Sequence, residues 1–353
     1  MVTSACAPFA AAPPAMTPAE IFHREVASIH DRYAGLLDGD HDSIHRARIA
    51  TRRVREILPL THDWQHQDRA EDLRETFKRM GRALGRVRDA DTRVALLRYL
   101  EARIPHAAPS LVLVRQAEEH HRLTIMRKLI KRFERLAVER ELAQQRHAIA
   151  RWRAARWPWT TTRWRDVLRA HVADRARGTC EAVAYATGIY FPNRVHSARI
   201  EIKKFRYAAE IAVETSLLDG AAVLRVLKKS QDLLGDLHDR QTLLDDLRQT
   251  AAHDARIDAT HLCLVAQVVE ADIADLHARY LQRRDAIRTA CSEIPAAMQR
   301  PNRVGQIATV AGAVAVVTGL EARRRRRVRA LDSAEANDAA VRIVVPLRER
   351  VPS

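Results

Sequence analysis

One pattern occurs twice, and it constrains this chain more than any other feature. His45, Arg48, Arg52, Arg53 and Arg55 recur as His196, Arg199, Lys203, Lys204 and Arg206, 151 positions later. A second motif follows each copy. Leu84, Gly85 and Asp89 recur as Leu234, Gly235 and Asp239, 150 positions later. Order and spacing both repeat, so two homologous-looking halves are the simplest reading. Their boundary falls in the tryptophan-rich stretch from Arg151 to Trp164.

The halves read as helical. Glycine (11) and proline (13) are scarce in 353 residues, which argues against a sandwich or barrel with its frequent turns. No window alternates apolar and polar residues as a half-buried strand would. Thr76–Met80, Arg127–Phe133 and Asp272–His277 instead space their apolar residues three to four apart. The fold class is therefore all-α. Thr17, Pro18 and Glu20 form a capping box with proline at the first helical position, opening a helix expected to reach Gly35 or Gly39. Asp42 and Asn193 are read as caps of two further helices. Prolines 59, 105, 109, 158, 192 and 295 are read as helix starts or stops.

On a helix advancing 100° per residue, Arg48, Arg52 and Arg55 lie within about 80° of His45, and Arg53 stands apart at about +80°. His196, Arg199, Lys203 and Arg206 repeat those angles. Each half thus presents one histidine and three cations in a stripe about 15 Å long. Like charges at i,i+4 repel by a few tenths of a kcal/mol per pair, so such a stripe is cheap only if it faces water or an anion. Two stripes in one register favour the anion. Lys78 and Arg79 recur as Lys228 and Lys229 and are second-rank candidates. Arg82 has Asp232 as its counterpart and is weaker.

His45 and His196 sit near helix starts, where the dipole disfavours imidazolium, so they are expected to be neutral. They either bond phosphate or tie a helix start to its neighbour. His41 and His45 form H-x-x-x-H without a third ligand, so no metal is assigned. Asp89, Asp91 and Asp239 lack a catalytic spacing and are read as partners that orient arginines. Gly85 and Gly235 suit close packing or a kink. No phosphate-binding glycine loop, H-E-x-x-H or G-x-S-x-G occurs, and neither catalytic residues nor a cofactor is assigned.

With 60 Lys and Arg against 44 Asp and Glu, the formal charge is +16. That excess implies a polyanionic partner: nucleic acid, an anionic membrane surface or a phosphate polymer. Cys6, Cys180, Cys263 and Cys291 lie far apart, as in a reducing compartment. Residues 1–17 are read as a tail without a signal peptide. Ile307–Leu320 is apolar but has 14 residues, too few to span a bilayer. Arg323–Arg327 follow it. The stretch is read as a mobile tail, with a peripheral anchor as the alternative. No transmembrane segment is assigned.

The repeated motifs resemble the CHAD domain, the histidine-bearing α-helical family that binds inorganic polyphosphate. Its histidine, arginine three later, basic pair and further arginine match His45, Arg48, Arg52, Arg53 and Arg55. Its lysine-x-arginine-tyrosine ending matches Lys204, Arg206 and Tyr207. Its leucine-glycine and aspartate signature matches Leu84, Gly85, Asp89 and Asp91, then Leu234, Gly235 and Asp239, with Gln241 in place of the last acid. The resemblance covers residues 18–299. It implies two four-helix bundles related by approximate twofold symmetry, residues 18–150 and 160–299, with basic residues lining a groove or pore. It implies a stand-alone module in the cytoplasm, at polyphosphate granules, since residues 1–17 leave no room for the triphosphate-tunnel domain some members carry upstream. Residues 300–353 lie outside it.

The leading function is non-enzymatic polyphosphate binding by His45, Arg48, Arg52, Arg53, Arg55, Lys78, Arg79, His196, Arg199, Lys203, Lys204, Arg206, Lys228 and Lys229, with other polyanions as secondary partners. The alternative is nucleic-acid binding. Single-strand binders interleave aromatics with cations, and the stripes hold almost none. Only Trp152, Trp157, Trp159 and Trp164 alternate with arginines, and they also suit a seal between the halves.

Overall fold

A computed structural model describes residues 16–61, 67–145, 163–250 and 256–299. The tryptophans at 152, 157 and 159, Pro158, the apolar run at 307–320 and both tails lie outside the described residues. Within them all regular structure is helical.

Helix α1 (Pro18–Asp31) opens on the capping box: the Thr17 hydroxyl accepts from the Glu20 N–H at 3.3 Å, and the Glu20 carboxylate accepts from the Thr17 N–H at 2.7 Å. It stops at Arg32 rather than reaching Gly35 or Gly39. The chain restarts as α2 (Tyr33–Asp38), where the break lets Tyr33 stack on Phe133 with centroids 6.4 Å apart. Gly39 ends α2 at φ 77°, a left-handed conformation that glycine adopts without steric cost.

The cap of α3 (His41–Thr61) is Asp40, not Asp42: the Ser43 N–H donates to Asp40 Oδ2 at 2.8 Å. Asp42 lies inside the first turn and pairs with Arg46 at 2.7 Å. The cap position of α7 (Pro192–Glu214) is Phe191, with no side-chain cap, and Asn193 falls inside the helix. In both places proximity to the histidine was the wrong guide, because a cap must precede the first helical residue. Pro59 and Pro295 also depart from expectation. Both lie inside helices, α3 and α9 (Ala259–Gln299), close to the C-terminal ends. Pro105 opens a short 3-10 turn (Pro105–Ala107), and Pro109 opens α5 (Ala108–Arg135). The remaining helices are α4 (Gln67–Arg103), α6 (Arg163–Tyr185) and α8 (Ala221–Thr250).

Helices α6, α7, α8 and α9 pack each against the next, and α9 returns against α6, which closes a four-helix bundle. In the first half α1, α3, α4 and α5 pack in series. Across the halves α3 meets α7 and α6, α4 meets α8, and α5 meets α9. The core runs through both halves: Leu97, Leu100 and Leu111 share a cluster with Leu243, Leu247, Val265, Val269 and Ile273.

Two apolar faces set the rotation of the stripe helices. On α3, Ile44, Ala47, Ala50, Val54 and Ile57 are buried; on α7, Val195, Ala198, Ile202, Phe205 and Ala209 are. Each large side chain contributes about 1.5–3 kcal/mol on burial. With those faces inward, the stripes must lie along their edges, and small Ala residues keep the backbones close. Arg53 then locks α1 and α3 to α7. Its guanidinium, only 8% exposed, donates to Glu25 at 3.0 Å, Glu210 at 2.9 Å and Glu214 at 2.7 Å. Glu56 of α3 repeats the device with His171 at 2.9 Å and Arg175 at 3.0 Å on α6.

Candidate functional site

Where α3 runs beside α7, the two cation stripes share one electrostatic environment. Lys203 of α7 is half-buried, and its ammonium is pushed down to about 6. Desolvation is the largest cause, followed by Arg52, Arg199 and Arg48, with only Asp89 opposing. Arg48 is pushed down to about 10 by burial and Arg52, with Asp89 opposing and Arg199 adding to the depression. Burial lowers Arg199 as well, opposed by Asp239 and reinforced by Arg52. Four cations, two from each half, therefore sit close enough to disfavour one another's charge.

Arg48 is held by the second motif. Its Nη2 donates to Asp89 Oδ1 at 3.1 Å. A Cβ on Gly85 would stand 3.6 Å from Arg48 Nε, in ordinary contact, so the guanidinium passes directly over this position of α4. Nothing lies within 4 Å of the equivalent point on Gly235. Asp239 takes the matching place in the second half: it is the opposite charge acting most strongly on Arg199. Asp89 thus orients a cation by a direct bond to Arg48, while Asp239 acts on Arg199 through its charge. Arg48 Nε and Arg55 Nε are buried donors that find no acceptor among the described residues. Such donors cost about 1–3 kcal/mol unless something accepts from them.

Burial and neighbouring cations lower both stripe histidines. Partial burial lowers His45, with Arg88 and Arg48 adding to it. Burial lowers His196, helped by Arg199 and Lys203. His238 of α8, which occupies the register position of Arg88 beside Asp239, was not assigned to the site from sequence. It stands against His196 with Nδ1 atoms 3.3 Å apart and ring centroids 4.6 Å apart. Burial, Arg199 and His196 push it down to about 4.

Several candidates sit elsewhere. Arg53 is committed to its three carboxylates and is removed from the anion-facing set. That was hidden in sequence because Glu210 and Glu214 lie more than 150 positions away. Lys204 pairs with Glu201 at 2.6 Å. Arg206 donates to Gln231 at 2.9 Å and to Glu210, and lies over the Tyr207 ring. Arg55 is near Arg52, Arg74 and Arg82, with Glu56 as the opposing charge. Lys78 and Arg79 share Glu75 at 2.7 and 3.3 Å. Lys228 and Lys229 are exposed on α8.

The motif's last acid is structural. Asp91, almost wholly buried, holds Arg122 and stands 3.1 Å from His41, fixing the turn before α3 to α5. Gln241, in its place in the second half, accepts from the Tyr190 hydroxyl at 3.0 Å, which fixes the turn before α7. The departure from acid to amide keeps the clamp and drops the charge. Among the described residues no three His, Cys, Asp or Glu side chains gather as a metal site. No described helix is long and apolar enough to cross a membrane. Cys180, Cys263 and Cys291 are free thiols.

The chain is similar to the crystal structure of the CHAD domain from the plant Ricinus communis, at 19% identity over 81% of this chain and 96% of that one, with a TM-score of 0.52. PptA from Streptomyces chartreusis aligns at 16% identity over 80% and 98%, with a TM-score of 0.47. No curated protein matches the sequence. The profile of the CHAD domain matches residues 20–248, which takes in both copies of both motifs, and the chain belongs to the CHAD domain family.

Proposed function

We propose that this protein binds inorganic polyphosphate without transforming it, through the cations that α3 and α7 bring side by side. The observation that carries this is the shared cluster of Arg48, Arg52, Arg199 and Lys203, opposed by Asp89 and Asp239. So many like charges, partly desolvated, are held at a cost that an anion spanning both helices relieves. Arginine grips phosphate oxygens with two parallel donors, and lysine adds a point charge. A linear phosphate chain has no bases to read, so cations alone suffice. Family membership supports the same ligand. The reading places the protein in the cytoplasm, at polyphosphate granules.

Competition tests it. Labelled polyphosphate on the protein is challenged with unlabelled polyphosphate, single-stranded DNA, RNA and heparin at two salt concentrations. Polyphosphate should displace best, and affinity should fall steeply with salt as counterions are released. Equal displacement by DNA or RNA would favour nucleic-acid binding instead.

A further inference from the structure

We propose that the site takes up protons when a phosphate chain enters, on Lys203 and on the His196–His238 pair. The inference rests on the polyphosphate reading and adds a coupling to pH. It begins from the contact of His196 on α7 with His238 on α8, whose Nδ1 atoms stand 3.3 Å apart. The charges of Arg48 and Arg52 from α3 and of Arg199 from its own helix act on Lys203, and Lys203 in turn acts on His238. The opposing carboxylates are Asp89 of α4, which acts on Lys203, and Asp239 of α8, which acts on Arg199. Cations therefore outnumber acids around the amine, and the lysine and the imidazoles can relieve the excess only by shedding protons. Guanidinium groups cannot do so in this range.

Burial and the arginines leave the Lys203 amine at about 6, so near neutral pH it is mostly uncharged in the free protein. A phosphate chain reverses the balance, because each ionised oxygen favours the charged form. The imidazole pair has capacity for one further proton. With Nδ1 atoms 3.3 Å apart, one ring donates to the other. A proton added at Nε2 of the donating ring makes it an imidazolium and strengthens that bond, so the pair charges without coming apart. The halves differ in what they can titrate. The first half offers His45, which burial, Arg88 and Arg48 lower, while Arg52 and Arg88 hold the places of Lys203 and His238.

Linkage sets the sign. A complex that holds more protons than its components weakens as pH rises, by about tenfold per pH unit for each proton fully taken up. The chain's own terminal phosphates titrate near neutrality and act in the opposite sense, so long-chain polyphosphate, with few ends, is the probe.

The experiment is calorimetric titration of long-chain polyphosphate into the full protein at neutral pH, in phosphate-free buffers of different ionisation enthalpy. The heats should differ by an amount equivalent to one to two protons taken from buffer, and affinity should fall by several-fold between mildly acidic and mildly alkaline pH. Lys203→Arg should flatten that dependence, and His238→Asn should remove part of the uptake. Binding with identical heats in all buffers overturns the coupling and leaves the polyphosphate reading intact. Absence of binding overturns the reading itself, and the coupling with it.

Discussion

The two stripes share a register but not a chemistry. In the first half the matching positions are all arginines, Arg48, Arg52 and Arg88; in the second, Arg199 keeps company with Lys203 and His238, which desolvation pushes down to about 6 and about 4. The clamps behind the stripes differ in the same direction. Asp91 holds Arg122 as an ion pair beside His41, whereas Gln241 and Tyr190 make a neutral hydrogen bond in the second half. A repeat therefore fixes where a group stands, while its neighbours decide whether that group is charged.

The sharpest contrast between the halves is at Arg53 and Lys204, which hold the same register. Arg53→Ala leaves Glu25, Glu210 and Glu214 without their buried partner and should cost about 3–5 kcal/mol in urea unfolding. Lys204→Ala removes one half-exposed contact to Glu201 and should cost under about 1 kcal/mol. Equal losses would show that Arg53 is not the lock between α1, α3 and α7. Next in size, Arg52→Ala with Lys203→Ala should weaken polyphosphate binding by about a hundredfold, since charge-assisted bonds contribute about 1.5–3 kcal/mol each. The unfolding midpoint should not fall, and unchanged affinity would count against the shared cluster.

A smaller difference separates the clamps. Asp91→Ala strands the Arg122 guanidinium and should cost about 2–3 kcal/mol, against about 1 kcal/mol for Gln241→Ala. The stability effect of Lys203 itself has the opposite sign. Between about 6 and its ordinary value of 10.5 the unfolded chain holds a proton there that the folded chain lacks. Stability contributed by this group thus rises with pH across that window. Lys203→Met should remove that slope and raise the melting temperature at neutral pH. A lowered melting temperature would mean that Lys203 is not held against repulsion.

Much of this was legible in the residues. Three-to-four spacing gave the helices, and the doubled motif gave the pairing of α3 with α7, because two stripes in one register require one environment. What stayed hidden depends on contacts distant in sequence. Nothing local marks Arg53 as structural and Arg52 as not, since they are neighbours whose side chains leave the helix about 100° apart. His238 could have been found by reading the basic position beside Asp89 and Asp239 as part of the repeat. The break at Arg32 brings Tyr33 of α2 onto Phe133 of α5, a contact a hundred positions apart that no window of the sequence displays.

The central claim is that both halves hold one chain. A crystal structure with bound polyphosphate tests it most directly. The account predicts a single run of phosphates touching Arg48 and Arg52 on one side and Arg199 and Lys203 on the other. Phosphates confined to the exposed Lys228 and Lys229, with the cluster between α3 and α7 untouched, would contradict it.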